Sequence, residues 1–468
     1  MKRLFKELSF GSMGLIVAVL IAATIIGTLR GSSFAIEHIY HSWWFIALWA
    51  LLAATAMAYI ICSSKRATLA MLHASFAVIL LGATVSFFTS KRGDIAIAQE
   101  GAPASMFEMS DGTLQRLPFR MQLESVDTVR VNGGETVGDY IVRVVVADKA
   151  GETAHTVSLN APTKIDGYQF CIKNVHNGNV SLLVSHDPAG RTISYVGYLM
   201  VFISFLLLFF DRKSGFNALL YKLKGQSGKV KGTRHEVEEK YWNGWGEMWG
   251  VLLSVPMLLC VLWCKRGVFP GTNGAEVLML LAVFVTLFAV ALRRTRHLAL
   301  LKRLLPVVAV IVFAVAAWNF DEDMDVQPIL RTPLLGIHVT TIIIAYALLT
   351  ITAVNAVMAL CTKDEKRRTQ QTLLGRLLLY PATMLLACGI FIGAVWANLS
   401  WGRYWGWDPK EVWALVTLLV CSVAFHTRSL RFMAKPVAFH IFCIAAFVAV
   451  LFTFFGVNYL LGGLHSYM

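Results

Sequence analysis

Residues 396–413 hold five tryptophans within 18 residues: Trp396, Trp401, Trp405, Trp407 and Trp413. Glycines punctuate the run Trp401-Gly-Arg-Tyr-Trp405-Gly-Trp407-Asp408-Pro-Lys-Glu411. Tryptophan and tyrosine favour the depth where a bilayer meets water, so an aromatic belt is one reading. Belt residues scatter over many helix ends, whereas these share one loop. Such a loop can lay indole faces against a large, flat, apolar ligand, with Arg403 and Lys410 offering charge to its carboxylates.

Histidines supply the second half of that chemistry. His338 and His465 flank the tryptophan loop in segments expected on the same side of a membrane. Neutral imidazole is a good ligand for haem iron. Singly, each reads as an ordinary interfacial histidine; together, bracketing a tryptophan platform, they read as an axial pair. His73 is the sixth residue of an apolar run and lies roughly 8 Å in from its start. His426 stands 18 residues after Asp408, roughly 27 Å down a helix. Equal depth on two helices is what one iron between two ligands requires, and ionisable groups at such depth are expensive. His440, four residues after Pro436, lies at similar depth and competes for the same role.

Other chemistries find little support. Of the eight cysteines only Cys171 falls in the large outward segment, and no Cys-x-x-Cys occurs. An internal disulfide there and thiol–disulfide exchange are therefore not expected. Cys62, Cys260, Cys264, Cys361, Cys388, Cys421 and Cys443 read as small packing residues in helices. Asp321-Glu-Asp-Met-Asp325 reads as a solvated loop. No Walker A, GxGxxG or HExxH motif appears.

The elements that must position these residues are membrane spans. Apolar residues make up 57% of the chain and charged residues 15%, far from a soluble balance. Crossing the hydrocarbon takes roughly 20 apolar residues. Eleven runs approach that length: 11–29, 43–62, 68–88, 194–210, 248–264, 275–292, 304–318, 337–360, 377–395, 412–426 and 436–460. With the N-terminus inside, the inward loops carry 26 Lys and Arg and the short outward segments 6, with 10 more in residues 89–193. Short loops decide orientation, so the N-terminus is expected inside and the C-terminus outside. The formal charge of +14 reports this topology, and its dispersal over loops gives no nucleic-acid footprint. The first run, 19 residues long, exceeds a signal-peptide h-region, and Ile25-Ile-Gly-Thr-Leu-Arg30 is not an Ala-x-Ala site, so an uncleaved span is expected.

Residues 89–193 are different material. Leu117–Glu124 and Tyr140–Val146 have strand character, a turn signal lies at Asn132-Gly-Gly, and further strand-like runs lie near 155–159, 167–172 and 179–185. The predicted architecture is an all-α polytopic membrane protein with about eleven transmembrane helices and one small β-rich extracytoplasmic domain. Its parts are three helices (1–88), the β-rich domain (89–193), a helix and basic flexible linker (194–240), and a seven-helix module (241–468).

Together these residues resemble the system II cytochrome c synthases, in which CcsB (ResB) and CcsA (ResC) modules cooperate or are fused. Trp401–Glu411 is similar to the tryptophan-rich (WWD) haem-handling signature, and Gly456–Tyr467 to the end of the CcsA module. Asn160-Ala-Pro162, Gly167-Tyr-Gln169, Asp187-Pro-Ala-Gly190 and His73 resemble CcsB, although that part is shorter here than in fused synthases. The resemblance implies that His73 and His426 ligate a transmembrane haem and that His338 and His465 ligate an outer haem. The outer haem would be held by Trp396, Trp401, Arg403, Trp405, Trp407 and Asp408. It further implies haem b as substrate and bound ligand, thioether attachment to an apocytochrome c Cys-x-x-Cys-His segment, a thioredoxin-like reductant as partner, and residence in lipid of the inner membrane. A haem exporter serving another lyase, and a b-type electron carrier, stand as the alternatives.

Overall fold

Apolar runs become helices in lipid because every backbone N–H and C=O must find its partner within the segment. The computed structural model describes residues 1–63, 67–131, 134–176, 178–228, 245–292, 299–320, 326–427 and 429–461. Before the β-rich domain stand α1 (Lys2–Arg30), the short α2 (Ser32–Ala35), α3 (Trp43–Ser63) and α4 (Ala67–Thr89); after it come α5 (Gly190–Phe210) and α6 (Gly215–Gly228). The second half holds α7 (Trp245–Arg266), α8 (Gly274–Ala291), α9 (Ala299–Trp318), α10 (Pro333–Cys361), α11 (Glu365–Trp401), α12 (Pro409–Val423) and α13 (Pro436–Leu451), which a π-helical stretch continues to Leu461.

Among the described residues, eight helices are long and apolar enough to cross a membrane. They lie over α1, α3, α4, α5–α6, α8, α10, α11 and α13 with its extension. The apolar runs assigned to α7, α9 and α12 also form helices, but outside that set. At 15 residues, α12 rises only about 22 Å. Its helix stops at Val423, so His426 sits in the turn beyond it. Leu15, Leu29, Leu199, Phe202 and Phe210 are exposed on α1 and α5, an arrangement suited to a lipid solvent.

Small residues weld α4 to α5. A methyl built on Gly82 would meet Ser194 N at 2.5 Å, and one on Gly190 would meet Ser86 N at 2.4 Å. The backbones therefore touch across a Gly82/Ser86 and Gly190/Ser194 seam, the small-x-x-x-small spacing of membrane helices. What lies between is an excursion that leaves and re-enters at one point.

That excursion is an eight-stranded antiparallel sheet in the order β5-β4-β3-β2-β1-β8-β7-β6. Its strands are β1 (Lys91–Ala98), β2 (Ala104–Met109), β3 (Leu114–Arg130), β4 (Val137–Asp148), β5 (Gly151–Ser158), β6 (Thr163–Ile165), β7 (Tyr168–His176) and β8 (Asn179–His186). Side chains alternate across a strand, and in β3 it is Leu117, Phe119, Met121 and Leu123 that turn inward. They meet Ile95, Phe107, Val144, Phe170 and Leu182 in one core. The β5 edge returns against β6 and β7, which makes the sheet barrel-like. Each expected strand is present; β1, β2 and β6 are additional.

The cysteine expectation needs correction. Cys388, Cys421 and Cys443 are buried packing residues, but Cys62, Cys260, Cys264 and Cys361 are exposed on the outer faces of their helices. Cys171 is a free thiol, and burial pushes its pKa up to about 11. The start of the basic stretch expected to be a flexible linker, up to Gly228, is instead the end of α6; Asp321–Asp325, residues 229–240 and residues 462–468 lie outside the described residues.

Candidate functional site

The tryptophan loop is set by how two helices end. α11 stops after Trp401 because Gly402 takes the left-handed conformation (φ 67°) and donates its N–H to Asn398 O at 3.1 Å. α12 starts at Asp408, whose carboxylate accepts from Lys410 N at 3.0 Å. The Glu411 carboxylate reaches back to Gly406 N at 2.8 Å and Asp408 N at 3.3 Å, closing a capping box. Asp408, expected to face a ligand, is thus buried and occupied in capping. Between the caps Trp407 is held at φ 57°, rare for a bulky residue. A parallel stack on Tyr40 (4.4 Å, 5°) and an edge contact with Phe45 (5.6 Å) pin it. Both partners belong to the first half of the chain.

The other tryptophans divide. Trp405 meets Trp407 edge-on at 5.8 Å. Trp396 is buried among Val268, Leu330 and Leu335 and lies edge-on to Trp401 at 4.8 Å. Trp413 donates Nε1 to Thr24 Oγ1 at 3.3 Å. Arg403 lies back over Gly406, where a methyl would come within 2.9 Å of its Cζ.

His73 and His426 are brought together, with ring centroids 6.2 Å apart and planes perpendicular. Each Nδ1 lies 2.9 Å from a carbonyl of its own segment, Leu69 O and Ser422 O respectively. A carbonyl can only accept, so Nδ1 carries the proton and Nε2 the lone pair. The competitor His440 faces elsewhere: it is buried, with Nε2 2.9 Å from Thr372 Oγ1. His338 has its Nδ1 2.7 Å from Gly389 O, and its ring fills the space a methyl on Gly393 would take. The same carbonyl argument puts the proton on its Nδ1 and the lone pair on Nε2. His465 lies outside the described residues.

A cavity of about 3310 Å³ runs through this region, several times the volume of an ordinary single-ligand pocket. His73 and His426 line it, as do Trp401, Arg403, Trp405 and Trp407. His338 and Trp396 are not on its wall, so the structure divides the expected outer set between this cavity and the α10–α11 contact. Tyr40, His41 and Arg92 also line it, and the sequence reading missed all three. His41 follows the π-turn Ile36–Tyr40 at the outer end of α1–α3, and burial, then Arg92, lowers its pKa.

A buried polar network ties the β-rich domain to the loop. Gln169 on β7 donates Nε2 to Asn398 O at 2.7 Å and accepts from Arg191 Nη1 at 2.6 Å. Tyr404 donates to Ser86 Oγ at 2.8 Å, and Ser86 in turn donates to Asp187. Asn160 Nδ2 donates to Pro328 O at 3.4 Å. The CcsB-like motif residues Asn160, Gln169 and Asp187 therefore all work at or beside the junction with the second half.

Fold and site define a polytopic membrane protein in which a β-rich domain and a tryptophan loop line one cavity. Residues 272–465 match the cytochrome C assembly protein family, and residues 63–185 match the ResB-like family. The cytochrome c biogenesis protein CcsA of Mesostigma viride is 30% identical over 259 residues, 47% of this chain and 84% of that protein. The chain belongs to this family of cytochrome c assembly proteins, with a ResB-like part on the same polypeptide. CcsA of Chlamydomonas reinhardtii is 35% identical over 234 residues, 46% of this chain and 65% of that protein. Protein NrfI of Wolinella succinogenes is 35% identical over 155 residues, 31% of this chain and 17% of that protein.

Proposed function

We propose that the chain is a holocytochrome c synthase of the fused CcsB/CcsA type, which moves haem b across the membrane and attaches it to apocytochrome c. The observation that carries this reading is one cavity lined by the His73/His426 pair and by Trp405 and Trp407. Iron bound at about 2 Å to two imidazoles, each with a ring radius of about 1 Å, sets their centroids roughly 6 Å apart. The 6.2 Å between His73 and His426 suits that arrangement. His338 and His465 are assigned to the outer haem, with Trp396, Trp401, Arg403, Trp405 and Trp407 as its surroundings; Asp408 holds the loop in shape.

In this reading the chain crosses the inner membrane eleven times, N-terminus inside and C-terminus outside, with residues 89–193 and the loop 396–413 on the extracytoplasmic face. Residues 1–88, 194–240 and 241–468 form the membrane modules and linker. Each thioether forms by addition. A cysteine S–H and the π component of a vinyl C=C break, sulfur bonds the vinyl carbon next to the ring, and the proton goes to the terminal carbon. Nothing leaves and no electrons are exchanged. Holding thiol and vinyl together supplies much of the acceleration. The substrate cysteines must arrive reduced, and this chain has no Cys-x-x-Cys, so a thioredoxin-like partner is required.

The test is expression with an apocytochrome c in cells lacking other maturation systems. Covalent haem on the cytochrome is the expected result. Haem bound to the chain but never joined to the cytochrome would identify an exporter or an electron carrier instead.

A further inference from the structure

Arg92, the second residue of β1, stands on the wall of the cavity with Arg403 of the tryptophan loop. Its Nε is buried without a hydrogen-bond partner, and among the described residues neither guanidinium forms an ion pair. Arg403 and Arg191 are its cationic neighbours, against Asp187 as the carboxylate that acts on it. Burial pulls the Arg92 pKa down, Tyr404 and Asp187 oppose that, and Arg403 and Arg191 add to it. Three guanidiniums therefore face one carboxylate. Asp187 accepts from Ser86 Oγ and Gly190 N, and Arg191 is held on Gln169 Oε1. An arginine stays protonated in proteins, and a buried charge without a partner is costly. With Arg92, Arg403 and Arg191 against Asp187, the cluster is short of negative charge.

We propose that Arg92 and Arg403 form a two-guanidinium subsite for a carboxylate of the tetrapyrrole. Arg92 comes from the β-rich domain and Arg403 from the second half, so one carboxylate would be gripped from both sides of the junction. A planar guanidinium matches a carboxylate with paired N–H donors. Tyr40, Trp405 and Trp407 line the same cavity and supply aromatic surface behind it. A lipid phosphate has the same anionic oxygens and is the other source of such a ligand. The inference rests on the haem reading above.

The test titrates the purified full chain, freed of haem, with haem b and with haem dimethyl ester, whose carboxylates carry no charge. The unaltered protein should bind the diacid about 10-fold or more tightly than the diester. Arg92→Gln and Arg403→Gln should each shrink that preference towards one, and Arg92→Lys should retain part of it. Equal affinity of the unaltered protein for both compounds overturns the subsite, as does a preference that survives both glutamine variants; the haem reading stands in either case. Failure to bind either compound overturns the haem reading and the subsite with it. The titration is repeated in nanodiscs of phosphatidylcholine and of phosphatidylglycerol. Competition by phosphatidylglycerol that Arg92→Gln abolishes would assign the guanidiniums to lipid phosphate and overturn the proposal. If Arg92→Gln aggregates, Arg403→Gln and the diacid–diester comparison still decide.

Discussion

Gln169→Leu isolates the contact by which the β-rich domain holds the end of α11. Gln169 is fully buried, and leucine has nearly its volume, so the change adds little cavity cost. Two strong hydrogen bonds disappear, at 2.7 Å to Asn398 O and at 2.6 Å from Arg191. Asn398 O keeps the Gly402 N–H at 3.1 Å, so that loss is about 0.5–1.5 kcal/mol. The Arg191 guanidinium loses a charge-assisted partner, at about 1.5–3 kcal/mol. The expected destabilisation is therefore about 2–4 kcal/mol. Unfolding of detergent-purified protein by added SDS, read for Gln169→Leu, Arg191→Met and the double variant, checks it. Arg191→Met should cost much less when Gln169 is already leucine, leaving a coupling of about 1.5–3 kcal/mol. Additive costs would refute the idea that these side chains act as one joint.

Asp408→Ala should lower stability by about 1 kcal/mol through loss of the α12 cap, whereas Asp408→Asn, a good cap, should nearly match the parent. Haem content of purified protein should follow the same order, and equal loss in both would indicate direct contact with the ligand. His73→Ala and His426→Ala should each reduce retained haem and open an axial position that added imidazole refills, as judged by the absorption spectrum. His440→Ala should leave haem content unchanged, because its Nε2 lies on Thr372; equal loss in all three would refute the pairing. Reporters fused at residues 150 and 404 should be active only when the reporter works outside the cytoplasm, and an inward signal at 404 would sink the orientation.

The helices were legible because burial in lipid demands long unbroken apolar runs, and α10 and α11 announce themselves that way. The His73–His426 pair was legible because depth can be counted in residues, although α12 ends at Val423 and His426 reaches His73 from the turn beyond it. The strand β1 was not, since its first half, Lys91-Arg-Gly-Asp, lacks the alternation that marks Leu117–Leu123. Nor was the stack of Tyr40 on Trp407, which joins positions far apart in the chain and leaves no local spacing to read. The same holds for Arg92, an ordinary strand residue until folding places it beside Arg403. The α4–α5 seam did leave a signal, Gly82-x-x-x-Ser86 facing Gly190-x-x-x-Ser194, although only the pairing of those helices gives it meaning.

That seam bears on how such a chain can change over time. Because Thr89 and Gly190 emerge side by side, the intervening hundred or so residues are joined covalently to the helices at one place and touch the second half elsewhere at only a few side chains, such as Asn160 and Gln169. A duplication, a deletion or an exchange between them would leave the order and spacing of every helix as it was. Selection on the outer domain is confined instead by a few docking positions, Gln169 and Asp187 foremost. A graft that preserved those two residues on a different scaffold should still find its seat above the cavity. The β-rich domain is in that sense a cartridge, free to diverge while the cavity beneath it stays fixed.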